Sequence, residues 1–82
     1  MNEIREIKLK RIQMRSWRRG TKEMDLILGG FSDSTLSSLS DDDLSLYDKL
    51  LDENDNDLYS WCSGQLIAPS VYTSLLNRIM KN

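Results

Sequence analysis

A chain of 82 residues, 39% hydrophobic and 29% charged, suffices for one small domain, residues 1–82, and is too short to enclose a large pocket. It has no histidine and one cysteine, Cys62, which excludes an internal disulfide, a zinc cluster and nucleophiles activated by histidine. No apolar run reaches the ~18 residues of a membrane span, and the first residues lack the features of a signal or transit peptide. We therefore expect a soluble protein that stays in a cytoplasm or has already been processed.

The small net charge of −2 conceals a strong division along the chain. Residues 1–23 carry eight basic and three acidic side chains, a net charge of +5. Residues 24–59 carry one basic and ten acidic side chains, a net charge of −9. Such a distribution can steer the approach of a charged partner, or the two halves can attract each other within the folded chain. The sequence leaves both explanations open.

The first predicted helix runs from about Asn2 to Arg18. Its apolar residues are loosely spaced, so we expect secure packing only in its second half and fraying of residues 1–10. Gly20 then permits a left-handed or otherwise irregular backbone at a corner between two helices.

A second helix is predicted from about Thr21 to Gly29, where two successive glycines end it. Its buried stripe recurs at helical spacing. The serine-rich residues 32–39 predict a loop with room for one helical turn around Thr35. The stripe consists of Met24, Ile27, Leu28 and Phe31.

A third helix is predicted to begin after Ser40, because the hydroxyl of Ser40 can cap the amide of Asp43. A start at this position also places three successive aspartates at the positive end of the helix dipole. The helical pattern breaks at residues 52–56, a short helix follows at about Asp57 to Ser63, and Pro69 opens the last helix. No strand pattern competes. The sequence therefore predicts an all-α fold, a small bundle of about five helices.

Two arrangements in the sequence could indicate a metal site or an active site, but the first lacks the required residue types and the second lacks the required geometry. Residues 52–56 resemble the start of a calcium loop, but Asp57 and Ser63 stand where that loop needs glycine and glutamate. Glu23 and Asp25, two residues apart on a helix, point in nearly opposite directions and cannot act as a carboxylate dyad. We predict no catalytic residue, no cofactor-binding residue and no metal site, and we interpret the lone cysteine as a core residue.

Besides binding to a protein partner, we considered two other functions for this chain. The basic first helix, with Trp17 available for base stacking, could form a nucleic-acid-binding module, but the isoelectric point of about 4.9 and the lack of a further basic platform oppose it. A small enzyme would have to rely on carboxylates or lysine. Trp17 also has a simpler explanation, namely packing the first helix onto the second.

The segment Arg19-Gly20-x-x-Glu23-x-Asp25 resembles the signature of the succinate dehydrogenase assembly factor family of the SdhE type. Thr21 replaces the more usual Met or Leu of that family, and Gln13 is a polar departure in the first helix. Further features in the family's order extend the resemblance over about residues 11–80; they are Arg11-Ile12, Leu26-Ile27-Leu28, Phe31, Leu39-Ser40-Asp41, Tyr47, Leu50-Leu51-Asp52, Asp57-Leu58-Tyr59-x-Trp61 and Ala68-Pro69.

The resemblance implies a non-catalytic assembly factor that binds the flavoprotein subunit of succinate dehydrogenase, and in some bacteria that of fumarate reductase. It implies that the factor promotes covalent attachment of FAD to a histidine of the partner, so that FAD belongs to the partner and this chain binds no cofactor stably. The expected location is a bacterial cytoplasm, or the mitochondrial matrix after removal of a transit peptide. We expect a monomer when free, with no nucleic-acid binding and no membrane insertion.

The same resemblance implies a docking surface built around the corner. Arg19 would pair with a carboxylate or phosphate, Gly20 would let the partner's backbone approach closely, and Glu23 would accept hydrogen bonds across the interface. Glu23 could instead complete a helix cap. The implied partner-binding residues are Arg19, Gly20 and Glu23, with Trp17, Arg18 and Asp25 adjacent.

Overall fold

The computed structural model describes residues 3–81, which form five α-helices and one 3₁₀ turn, Leu36–Ser38. No strand occurs within these residues, so the all-α prediction is confirmed. None of the helices in this part of the chain is long and apolar enough to cross a bilayer. The helices are α1 (Arg5–Trp17), α2 (Lys22–Thr35), α3 (Asp41–Leu50), α4 (Asp55–Cys62) and α5 (Ser70–Lys81).

The second helix differs most from its prediction, because it continues through both glycines to Thr35 instead of ending at Gly29. Gly29 is buried against the indole of Trp17, and a Cβ atom at position 29 would lie 2.4 Å from two ring carbons. The glycine therefore serves close helix packing. Burial of Phe31 beyond it offsets the cost of about 1 kcal/mol that a glycine adds to a helix. The loop predicted for residues 32–39 was wrong for residues 32–35, which continue α2, whereas the helical turn expected near Thr35 is present as the 3₁₀ turn Leu36–Ser38.

The starts of α3 and α4 follow from local side-chain caps. The hydroxyl of Ser40 accepts a hydrogen bond from the Asp43 amide at 3.2 Å, which confirms the predicted start of α3. Helix α4 begins at Asp55, earlier than predicted, because the side chain of Asn54 accepts a hydrogen bond from the Asp57 amide at 2.8 Å. Helix α5 begins at Ser70, one residue after the Pro69 that was predicted to open it. The predicted start of the first helix, at Asn2, lies outside the described residues.

One hydrophobic core joins the helices, and Tyr47 lies within it with its side chain fully buried. Its hydroxyl lies 2.8 Å from Ser16 Oγ and 3.2 Å from the carbonyl oxygen of Leu28, while Ser16 Oγ lies 2.9 Å from the carbonyl of Ile12. Burial raises the pKa of Tyr47 to about 12, so the phenol stays neutral at physiological pH. This small polar network ties α1, α2 and α3 together inside the core. Cys62 packs half-buried against the core, and burial raises the pKa of its thiol.

Candidate functional site

Basic side chains of α1 pair with acidic side chains in and after α3. The guanidinium groups of Arg11 and Arg15 lie 2.7 and 2.9 Å from the two carboxylate oxygens of Asp48, and Arg15 also lies 2.7 Å from Asp52. Hydrogen bonds from Arg11, above all, hold the pKa of Asp48 below its ordinary value. Attraction between these basic and acidic side chains within the chain thus explains much of the unequal charge of residues 1–23 and 24–59. A nucleic-acid phosphate would have to compete with these pairs, so the structure gives that alternative no support.

The side chain of Arg19 is directed into the fold and is only 10% exposed. Its Nε donates to Asp55 Oδ1 at 2.8 Å, and its two terminal nitrogens donate to the backbone carbonyls of Leu51 and Glu53, each at 2.8 Å. The guanidinium therefore links the corner between α1 and α2 to the turn between α3 and α4. Direct pairing of Arg19 with a partner would require breaking these bonds, so that role stays a prediction.

Two carboxylates hold the backbone of the corner. Asp25 Oδ1 accepts a hydrogen bond from the amide of Arg19 at 2.7 Å, and Asp55 Oδ2 accepts one from the amide of Gly20. Of the two backbones expected at Gly20, the left-handed one is wrong, because only Gly64 has a positive φ, 81°, among residues 3–81; Gly20 instead lies in an irregular bend between α1 and α2. Gly20 is required for another reason, since a Cβ atom there would lie 2.7 Å from Asp55 Oδ2.

Replacing Gly20 with alanine should destabilise the fold. The added methyl group must displace the Asp55 carboxylate, which Arg19 holds in place, so we expect a loss of about 1–3 kcal/mol, as for other overpacked positions. Thermal unfolding followed by circular dichroism measures this loss. A variant that melts at the wild-type temperature would show that the carboxylate relocates without cost.

Trp17 serves packing and remains partly accessible. Its ring covers Gly29, as the packing explanation predicted, and its indole N–H donates to Asp33 Oδ1 at 3.1 Å. Hydrogen bonds from Gln13 and, to a lesser extent, Trp17 lower the pKa of Asp33. The Trp17 side chain is nevertheless 41% exposed at the end of α1, followed by the exposed Arg18.

Glu23 is exposed in the first turn of α2, where the helix dipole stabilises its negative charge. The helix is capped by Thr21, whose hydroxyl accepts a hydrogen bond from the Met24 amide at 3.3 Å. Within residues 3–81 the Glu23 carboxylate makes no hydrogen bond or ion pair, so the structure does not support the capping explanation. Its charge is available to a partner.

The six residues implied by the resemblance thus fall into two groups. Arg19 and Asp25 are engaged within the fold, whereas the other four are exposed at or beside the corner. Sequence reasoning missed Asp55, which holds the corner from 36 residues away along the chain. The only local feature of Asp55 in the sequence is that it follows the capping residue Asn54. A carboxylate in the first turn is common in helices, so this feature does not indicate a contact with the corner. The exposed residues are Trp17, Arg18, Gly20 and Glu23.

Comparisons of the sequence with a family model and with individual known proteins point to the same family. Residues 10–82 match the family Sdh5, described as flavinator of succinate dehydrogenase. Three similar proteins are each named succinate dehydrogenase assembly factor 2, mitochondrial. The one from Mycosarcoma maydis is 37% identical over 93% of the chain and 32% of its own length. Those from Meyerozyma guilliermondii and Schizosaccharomyces pombe are 48% and 39% identical, over 74% and 88% of the chain and 45% and 52% of their own lengths. The chain therefore spans about a third to a half of these relatives.

Proposed function

Because the chain belongs to the Sdh5 family, the flavinators of succinate dehydrogenase, we propose that it binds the flavoprotein subunit of that enzyme and promotes its covalent attachment to FAD. The family match over residues 10–82 carries this proposal. In it, the chain is a non-catalytic assembly factor, and both FAD and the residue that receives it belong to the partner. The fumarate reductase flavoprotein is a second partner in bacteria that make one.

The structure supports a docking role for the corner in two ways. The backbone around Gly20 is fixed by the bonds to Asp25 and Asp55, so the surface exists before a partner arrives and little ordering entropy is lost on binding. The carboxylate of Glu23, in the first turn of the helix that follows the corner, is exposed and makes no hydrogen bond or ion pair within residues 3–81. We propose that the protein acts where its partner matures, in a bacterial cytoplasm or in the mitochondrial matrix.

A flavinylation assay tests the proposal. Purified chain is added to the FAD-free flavoprotein subunit of succinate dehydrogenase with free FAD, and covalent flavin is measured by its fluorescence in a denaturing gel. We expect more covalent flavin than without the chain, and none when the flavin-accepting histidine of the subunit is replaced by serine. Equal covalent flavin with and without the chain, together with no detectable complex, would contradict the proposed function. The same assay with the fumarate reductase flavoprotein tests the second partner.

A further inference from the structure

A shallow cavity of about 480 Å³ lies between the start of α2 and the side of α4, and Gln65 in the loop after α4 also lines it. Two carboxylates line it, those of Glu23 and Asp55, and no basic residue does. Asp55 is satisfied by Arg19 and by the amide of Gly20. Glu23 makes no such bond within residues 3–81, so the cavity contains one negative charge without a partner.

The other walls narrow the chemistry of an occupant. Tyr59 is 43% exposed and lines the same cavity, together with the amide side chains of Asn56 and Gln65. An anion does not suit this cavity, because the negative charge of Glu23 would repel it. The amides at the start of α4 offer no compensating site, since Asn54 already caps that helix. A planar guanidinium fits better, because it can donate to a carboxylate and to amide oxygens while stacking on an aromatic ring.

We propose that this cavity receives an arginine side chain of the partner flavoprotein. Glu23 accepts its charge-assisted hydrogen bonds, and the ring of Tyr59 packs against its guanidinium plane. Arg19 acts here as a positioning residue, because it fixes Asp55 and so holds the start of α4 beside the start of α2. The proposal rests on the function proposed above, since the flavoprotein supplies the arginine.

Glu6 offers a matched control for Glu23. Each is an exposed glutamate and the second residue of its helix, α1 or α2. Glu23→Gln should weaken binding to the purified flavoprotein subunit about tenfold or more in isothermal titration calorimetry and reduce its dependence on salt. Glu6→Gln should bind within about twofold of wild type, since it removes the same charge elsewhere.

A second pair of variants tests the aromatic wall. Tyr59→Phe keeps the ring and should bind as wild type, whereas Tyr59→Ala should bind several-fold more weakly, with unchanged helical content in both. Equal affinities of Glu23→Gln and Glu6→Gln would overturn the arginine cavity while wild-type binding and flavinylation keep the proposed function intact. Absence of binding by the wild-type chain would overturn both.

Discussion

Replacing Arg19 with alanine should lower the free energy of unfolding by about 3 kcal/mol, the cost typical of removing one partner from a buried ion pair. The substitution leaves the largely buried carboxylate of Asp55 without its cation and the carbonyls of Leu51 and Glu53 without their donor. For a domain of this size the thermal midpoint should fall by roughly 10–25 °C. Thermal and urea unfolding followed by circular dichroism measure both quantities.

The neighbouring Arg18 is the control. It is exposed and has no bond to a side chain or carbonyl through its guanidinium within the described residues, so Arg18→Ala should change stability by less than about 0.5 kcal/mol. Arg19→Lys should fall between, because one ammonium group cannot reproduce the three directed bonds of the guanidinium. If Arg19→Ala melted as wild type and lost only partner binding, Arg19 would be a direct contact and not a structural link.

The two adjacent glycines of α2 should respond in opposite directions to alanine. A Cβ atom at Gly29 would lie 2.4 Å from the Trp17 ring, whereas one at Gly30 would meet nothing within 4 Å. Gly29→Ala should therefore destabilise the protein by about 1–2 kcal/mol, after overpacking is partly offset by better helix propensity. Gly30→Ala should stabilise it by about 0.5–1 kcal/mol through propensity alone.

Chemical unfolding of the two variants, measured side by side, checks the sign of each change. Displacement of Trp17 in Gly29→Ala should also break its 3.1 Å hydrogen bond to Asp33 and alter the indole N–H signal in NMR spectra. Stabilisation by both alanines, with an unchanged indole signal, would show that the ring of Trp17 accommodates a methyl group and that Gly29 is not a packing requirement.

Local signals in the sequence predicted most of the fold. The cap at Ser40 and the proline directly before α5 are local signals that depend on residues within one turn, so the starts of these two helices were found. The extent of α2 was not, because Gly29 permits the helix to continue only when the distant Trp17 packs on it. Two adjacent glycines without that contact would favour a helix end.

The candidate site was predictable only in outline. The resemblance implied the corner from Arg19 to Asp25, but it could not show that Arg19 faces inward, since the Asp55 that holds it lies 36 residues away. That Glu23 lines a cavity together with Asp55 and Tyr59 likewise follows from how α2 and α4 meet, which no local pattern in the sequence records. That these residues dock onto the flavoprotein stays a prediction.

The inward arginine affects how variants of the corner should behave in a cell. Loss of about 3 kcal/mol would raise the unfolded fraction more than a hundredfold, and chaperones and proteases act on that fraction. Substitutions at Arg19 or Gly20 should therefore reduce the abundance of the protein, and extra expression or a lower growth temperature should restore part of the phenotype. Substitutions at Glu23 should leave the abundance normal, and extra expression should help them only by mass action.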